Sequence, residues 1–212
     1  MKEAYGIKIY ENLKEVVNPK HTCLVAWDIQ NGLVERTFNR GEFVRDIKNL
    51  IEALRGKVPL VYTNITPPER EFRSSWAFYS MMKRFGVSDP EKLPDFLKKG
   101  SQESEIGGGL EPKPGDVLLD KPAASIFIGT NFEYMMRARG ITTLIFTGIA
   151  TEFGIESSAR DGANRGFYPV IATDCVSSMD REGHERSLLN MQRLFICENS
   201  KTIIEAVLSE DK

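Results

Sequence analysis

The sequence predicts an α/β domain built on a largely parallel sheet with helices on both faces. Six short apolar runs rich in β-branched residues alternate with longer helical patterns, the signature of repeated βα units. Each run is nearly continuous in apolar character, as expected for strands covered on both faces. At 212 residues the chain has the length of a single domain.

The runs are TCLVAW ending at Trp27, VPLVYT from Val58, DVLL from Asp116, TTLIFT from Thr142, YPVIAT from Tyr168 and RLFIC from Arg193. Between the first two, EFVRDIKNLIEAL from Glu42 places Phe43, Ile47, Leu50, Ile51 and Leu54 on one helical face. NFEYMMRARG from Asn131 ends in a glycine stop, and GHERSLLNMQRL from Gly183 and SKTIIEAVL from Ser200 read as further helices. The stretch from about 66 to 114 breaks this rhythm, with one short helix at Trp76 to Arg84 amid proline, glycine and charge. Excursions of this length serve as lids, binding loops or subunit contacts, and both the lid and the contact reading stand at this point.

A net charge of -2 offers no electrostatic case for nucleic acid or an anionic membrane as partner. Three cysteines at no metal-like spacing argue against a disulfide framework and fit a reducing compartment. The opening MKEAYGIKIYENLKEVV has no apolar signal core, and no run approaches the roughly 18 apolar residues of a membrane span. A cytoplasmic location is the expectation.

In open parallel sheets ligands bind outside the carboxyl ends of the strands. Those ends carry Trp27-Asp28, Asp120-Lys121, the segment Thr147 to Thr151 and Thr173-Asp174-Cys175. The topology would bring a carboxylate (Asp28), an ammonium (Lys121) and the helix start around Gly154 into one site. A desolvated carboxylate beside an ammonium can pass a proton, and first-turn amides can receive an anion. The plainer reading is an Asp that caps a turn and a Lys that forms a structural ion pair.

Three motifs occur in a specific order: VAWDIQNGL carrying Asp28, LLDKPAASIFIGTNFEYMMRARGI carrying Lys121, and TGIATEFGIESSARDGANRGFYPVIATDCVSS. Together they resemble the isochorismatase-like hydrolases, or cysteine hydrolase superfamily, from about Cys23 to Cys197. The resemblance implies a Rossmann-like, three-layer αβα domain over residues 1–212 with a six-stranded, largely parallel sheet. It also implies a small-molecule substrate, no cofactor and assembly into homo-oligomers. In the amidase members the catalytic triad is Asp, Lys and Cys; the first two fall on Asp28 and Lys121, and Gly154 holds the place of the cysteine. The family's oxyanion hole falls on the amides of Ala150 and Gly154, with a non-proline cis peptide before Ala150.

Glycine excludes a thioester at this position and would leave room for water or a substrate atom. True isochorismatases likewise carry glycine here. The resemblance then implies acid–base hydrolysis with water as nucleophile, of vinyl-ether type, with Asp28 as general acid and Lys121 orienting it. The alternatives are an amidase using a relocated cysteine, Cys175 being the candidate, or a non-catalytic relative that binds a metabolite or partner. Cys23 and Cys197 read as core. The glutamine that should follow the second strand is replaced by Ile65, with Arg70 and Arg73 nearby.

Nicotinamidases hold a metal through an aspartate and paired histidines after that strand. Here the histidines are His21 and His184, neither in that region, so no metal site is expected. His184 fits helix-terminus packing or a subunit contact. Glu152 would activate water or complement the helix dipole. Asn31 would orient substrate or form a turn. Trp76, with Phe78 and Tyr79, would line a pocket or cover the core or a partner subunit. Arg160 and Asp161 read as a structural ion pair or a sheet-edge contact.

Overall fold

Burying six apolar runs on two faces organises the chain. The computed structural model describes residues 1–209. A small antiparallel hairpin comes first, β1 (Lys2–Ala4) and β2 (Ile7–Ile9), turned through Tyr5 and Gly6 at positive φ. Its strands are three residues long and mostly exposed, too short for any periodicity to announce them. There follow α1 (Leu13–Val16), β3 (Thr22–Trp27), α2 (Asn31–Val34), α3 (Arg40–Leu54), β4 (Leu60–Ile65) and α4 (Ser75–Phe85). The second half holds β5 (Val117–Lys121), α5 (Phe132–Ala138), β6 (Thr143–Ile149), α6 (Glu156–Asn164), β7 (Tyr168–Ser177), α7 (Arg181–Gln192), β8 (Ile196–Glu198) and α8 (Ser200–Leu208).

The large sheet has the order β5-β4-β3-β6-β7-β8, and every pair in it is parallel. On one face Leu24 and Ala26 pack with Phe43, Ile47, Leu50, Ile51 and Leu54 of α3 and with Ile203 and Val207 of α8. On the other face Cys23, Val25 and Trp27 pack with Phe132 and Met136 of α5, Ile155 and Ala159 at α6, and Met191 of α7. Alternate residues of β3 therefore serve opposite layers, as the period of a strand requires. The result is the three-layer αβα arrangement read from the sequence, with the five α3 residues forming one buried face.

Two strand ends differ from the sequence reading. β8 covers Ile196–Glu198, because Leu194 and Phe195 are taken into the turn after α7 by amide bonds to Met191. β7 runs on to Ser177 through a register shift: Phe146 pairs with Ile171, yet Gly148 pairs with Val176. The extra residues on β7 reverse which face its later side chains serve.

The excursion between β4 and β5 is tied down at several points. Leu93, Leu97 and Leu110 are buried. The Asn31 amide donates to Glu105 O at 2.8 Å, and the Gln30 Nε2 donates to Ser104 O at 3.1 Å. α4 lies within it, capped by the Ser74 hydroxyl and ended by Gly86 in the left-handed region. Among the described residues no helix is long and apolar enough to cross a membrane.

Phe146 sits at the centre of β6 with no exposure. Phe146→Ala should lower stability by about 3–5 kcal/mol, measurable by denaturant unfolding.

Candidate active site

The order of the sheet reverses between β3 and β6. From β3 the chain moves outward to β4, and from β6 it moves the other way to β7. This switch point is where ligands bind in open α/β sheets. Asp28 follows β3 directly and stands at φ 47, a left-handed conformation that Asp tolerates better than most residues.

The Asp28 carboxylate is buried and held on both oxygens. Oδ1 accepts from the Thr63 hydroxyl at 2.5 Å, and that hydroxyl accepts in turn from the Asp28 amide at 3.0 Å. Oδ2 accepts from Lys121 Nζ at 2.7 Å. Lys121 ends the edge strand β5, and its four-carbon stem reaches past β4 to Asp28. The ammonium donates a second bond to Ala123 O at 3.1 Å, and it lies 3.4 Å from the ring centroid of Trp27. Carboxylate, carbonyl and π face together occupy the three donors of an ammonium.

Burial raises the pKa of Asp28 against the pull of Lys121 and Thr63. Burial lowers that of Lys121 against the pull of Asp28. Both shifts lead toward a neutral acid beside a neutral amine, so a proton crosses this bond more readily than between the same groups in water.

The third part of the site follows β6. The Ile149–Ala150 peptide is cis, as the resemblance implies, and Thr151–Ile155 make one π-helical turn into α6. The Gly154 amide donates to Ala150 O at 3.0 Å, as do those of Phe153 and Ile155. The turn thus uses one of the two amides expected to form an oxyanion hole. Nor is there room at Gly154 for water or a substrate atom. A Cβ built there would fall on Cη2, Cζ2 and Cζ3 of Trp27. The indole fills the volume that a side chain on residue 154 would take.

The other candidates lie elsewhere. Glu152 Oε1 accepts from the Ser178 hydroxyl at 2.7 Å, which ties the turn to the end of β7. Asn31 Nδ2 donates to Gln102 O at 3.0 Å and serves the excursion, not Asp28. Trp76 is 72% exposed and stacks on Tyr79, so it lines no enclosed pocket. The excursion does reach the turn through Arg84, whose guanidinium lies 5.1 Å from the Phe153 ring centroid. Arg70 pairs with Asp95 at 2.9 Å, and Arg73 donates to Pro68 O; both serve the excursion itself. Arg160 pairs with Glu156 and Arg165 with Asp161, so Arg160 and Asp161 are not each other's partners.

Cys175 is no stand-in nucleophile. The register shift in β7 turns it into the core layer with Ile145 and Ala172, opposite the layer of Trp27 and Ile155. It is fully buried, and burial pushes its thiol pKa upward. Cys23 is equally buried, its thiol raised to about 12, and Cys197 is half-buried and packs against the same core layer as Cys23. Sequence reading passed over Trp27 and Thr63. The signal for Trp27 was available: a large aromatic sits directly before Asp28, and a glycine where a side chain is expected.

The family model described as Isochorismatase domain matches residues 22–199. A ureidoacrylate amidohydrolase RutB of Methylorubrum extorquens is 35% identical over 147 residues, 69% of this chain and 57% of that protein. The chain thus spans little more than half the length of that relative. The protein of the same name from Pseudomonas syringae pv. syringae is 32% identical over 201 residues, covering 84% of this chain and 80% of its own. A cysteine hydrolase from Pseudomonas syringae pv. phaseolicola 1448A superposes with a TM-score of 0.77 at 21% identity, covering 90% of this chain and 94% of that one. At that identity the likeness is one of fold.

His184 braces the turn from α7. Thr151 Oγ1 donates to Ser177 O at 3.1 Å and so accepts from His184 Nδ1–H at 2.8 Å. Burial lowers the His184 pKa from 6.5. The unfolded chain therefore binds a proton that the folded chain does not as pH falls through about 6.5, and stability drops with it. Melting temperature measured against pH should show this acid slope, and His184→Asn should reduce it, leaving the share of His21, whose pKa burial also lowers.

Proposed function

We propose that this chain, which belongs to the isochorismatase family, is a small-molecule hydrolase that works by acid–base chemistry at Asp28 and Lys121 with water as nucleophile. The observation that carries the reading is the buried 2.7 Å pair at the switch point of the sheet, beside a turn whose nucleophile position is glycine. A vinyl ether fits this pair, because its cleavage needs a proton and not a nucleophilic side chain. Asp28, protonated through its bond to Lys121, gives its proton to the enol carbon. Water adds to the oxocarbenium carbon and returns a proton to the Asp28 carboxylate. The hemiketal then collapses to a ketone and an alcohol, and no atom of the protein is consumed.

A second reading has a specific observation behind it: relatives covering most of this chain are named ureidoacrylate amidohydrolases. Under that reading Asp28 activates water for attack on a ureido or amide carbonyl. None of the three cysteines serves it, since Cys23 and Cys175 are buried and Cys197 lies on β8, two strands from β6.

Pyruvate release from isochorismate and ammonia release from ureidoacrylate distinguish the two. Asp28→Asn should cut whichever activity is present by about 10²-fold or more, measured on a variant shown to be folded by circular dichroism, because the substitution leaves a buried charge unpaired. Silence on both substrates would move the reading to a binding protein. Lys121→Met leaves the buried Asp28 without its counter-charge and should cost about 3–5 kcal/mol of stability, measurable by denaturant unfolding.

A further inference from the structure

We infer that Trp27 is a positioning residue at this site: its indole takes the volume of a side chain on residue 154 and holds the Lys121 ammonium against Asp28. Three observations meet in one ring. A Cβ on Gly154 would fall on three atoms of its six-membered portion. The Lys121 Nζ lies over its face at 3.4 Å, while donating to Asp28 and Ala123. The ring is only 4% exposed, and its Nε1–H is buried without an acceptor among the described residues. A buried N–H without a partner is unfavourable. The indole is held by its faces and edges, through Lys121 and Gly154, and not through its polar atom.

Trp27 and Gly154 are therefore one unit in volume. A side chain on residue 154 and an indole on residue 27 exclude each other, and the ammonium takes a π face where a reactive thiol would otherwise stand nearby. For catalysis the inference rests on the reading of Asp28 and Lys121 as the reacting pair; for structure it does not. It gives a reason for a glycine in the π-helical turn that leads into α6, since glycine is a poor helix former.

Two measurements on the full chain test it, neither using turnover. The first is the ¹H–¹⁵N spectrum of the Lys121 ammonium. In the wild-type protein the ring current of the indole should move these protons upfield. Trp27→Val should abolish that displacement and Trp27→Phe should keep part of it, so the phenyl variant still reports if the valine variant fails to fold. Identical Lys121 resonances in wild type and in either folded variant would overturn the positioning role.

The second measurement places a cysteine at residue 154 in two backgrounds. Gly154→Cys alone should lower the melting temperature. Trp27→Val/Gly154→Cys should recover much of that loss and yield a thiol, near Lys121, whose alkylation by iodoacetamide titrates well below the ~8.5 of free cysteine. Gly154→Cys with wild-type melting temperature, and a thiol as reactive as in the double variant, would overturn the shared volume. A failed hydrolase assay leaves these outcomes intact, and their failure leaves the hydrolase reading standing.

Discussion

A carboxylate and an ammonium with almost no exposure, 2.7 Å apart, are the constraint around which this molecule is arranged. Removing both from water is expensive, and their attraction offsets that cost only if every remaining donor and acceptor is also met. The sheet meets them strand by strand. β3 presents Asp28 and Trp27, β4 the Thr63 hydroxyl, and the edge strand β5 Lys121. The segment after β5 adds the Ala123 carbonyl. A single missing partner would leave a buried charge exposed to the low dielectric around it.

The parts of this arrangement legible in the sequence were those written in short-range pattern. The continuous apolar runs give the strands, and the spacing of Phe43, Ile47, Leu50, Ile51 and Leu54 gives the buried face of α3. Asp28, Lys121 and Gly154 could be picked out because each sits where a strand run ends or a helix pattern begins. Long-range volume was not legible. Asn31 and Trp76 look like pocket residues in sequence, yet one fastens the excursion and the other faces solvent. Cys175 shows the same limit. Strict alternation from Ile171 would put it on the layer of Trp27 and Ile155, and the register shift in β7 turns it to the opposite layer.

The pairing of a large residue at 27 with none at 154 gives the glycine a cause. A glycine at 154 leaves the volume of a side chain to its surroundings. That volume has an occupant, and the occupant is also a partner of the ammonium. The neighbouring turn is likewise occupied with its own structure, since the amides of Phe153, Gly154 and Ile155 all converge on the Ala150 carbonyl. The reading of the site as acid–base therefore rests on the pair Asp28 and Lys121.

The strand order has a consequence for how the protein comes into being. β3 is central, and its hydrogen-bonded neighbours are β4 on one side and β6, more than a hundred residues later, on the other. A growing chain that has left the ribosome only as far as β5 already holds Asp28, Thr63 and Lys121, but one side of β3 still lacks its neighbour. Gly154, against which the Trp27 ring is seated, belongs to a still later segment. The ion pair is therefore sealed from water late in synthesis, and until then its two charges are free to stay hydrated.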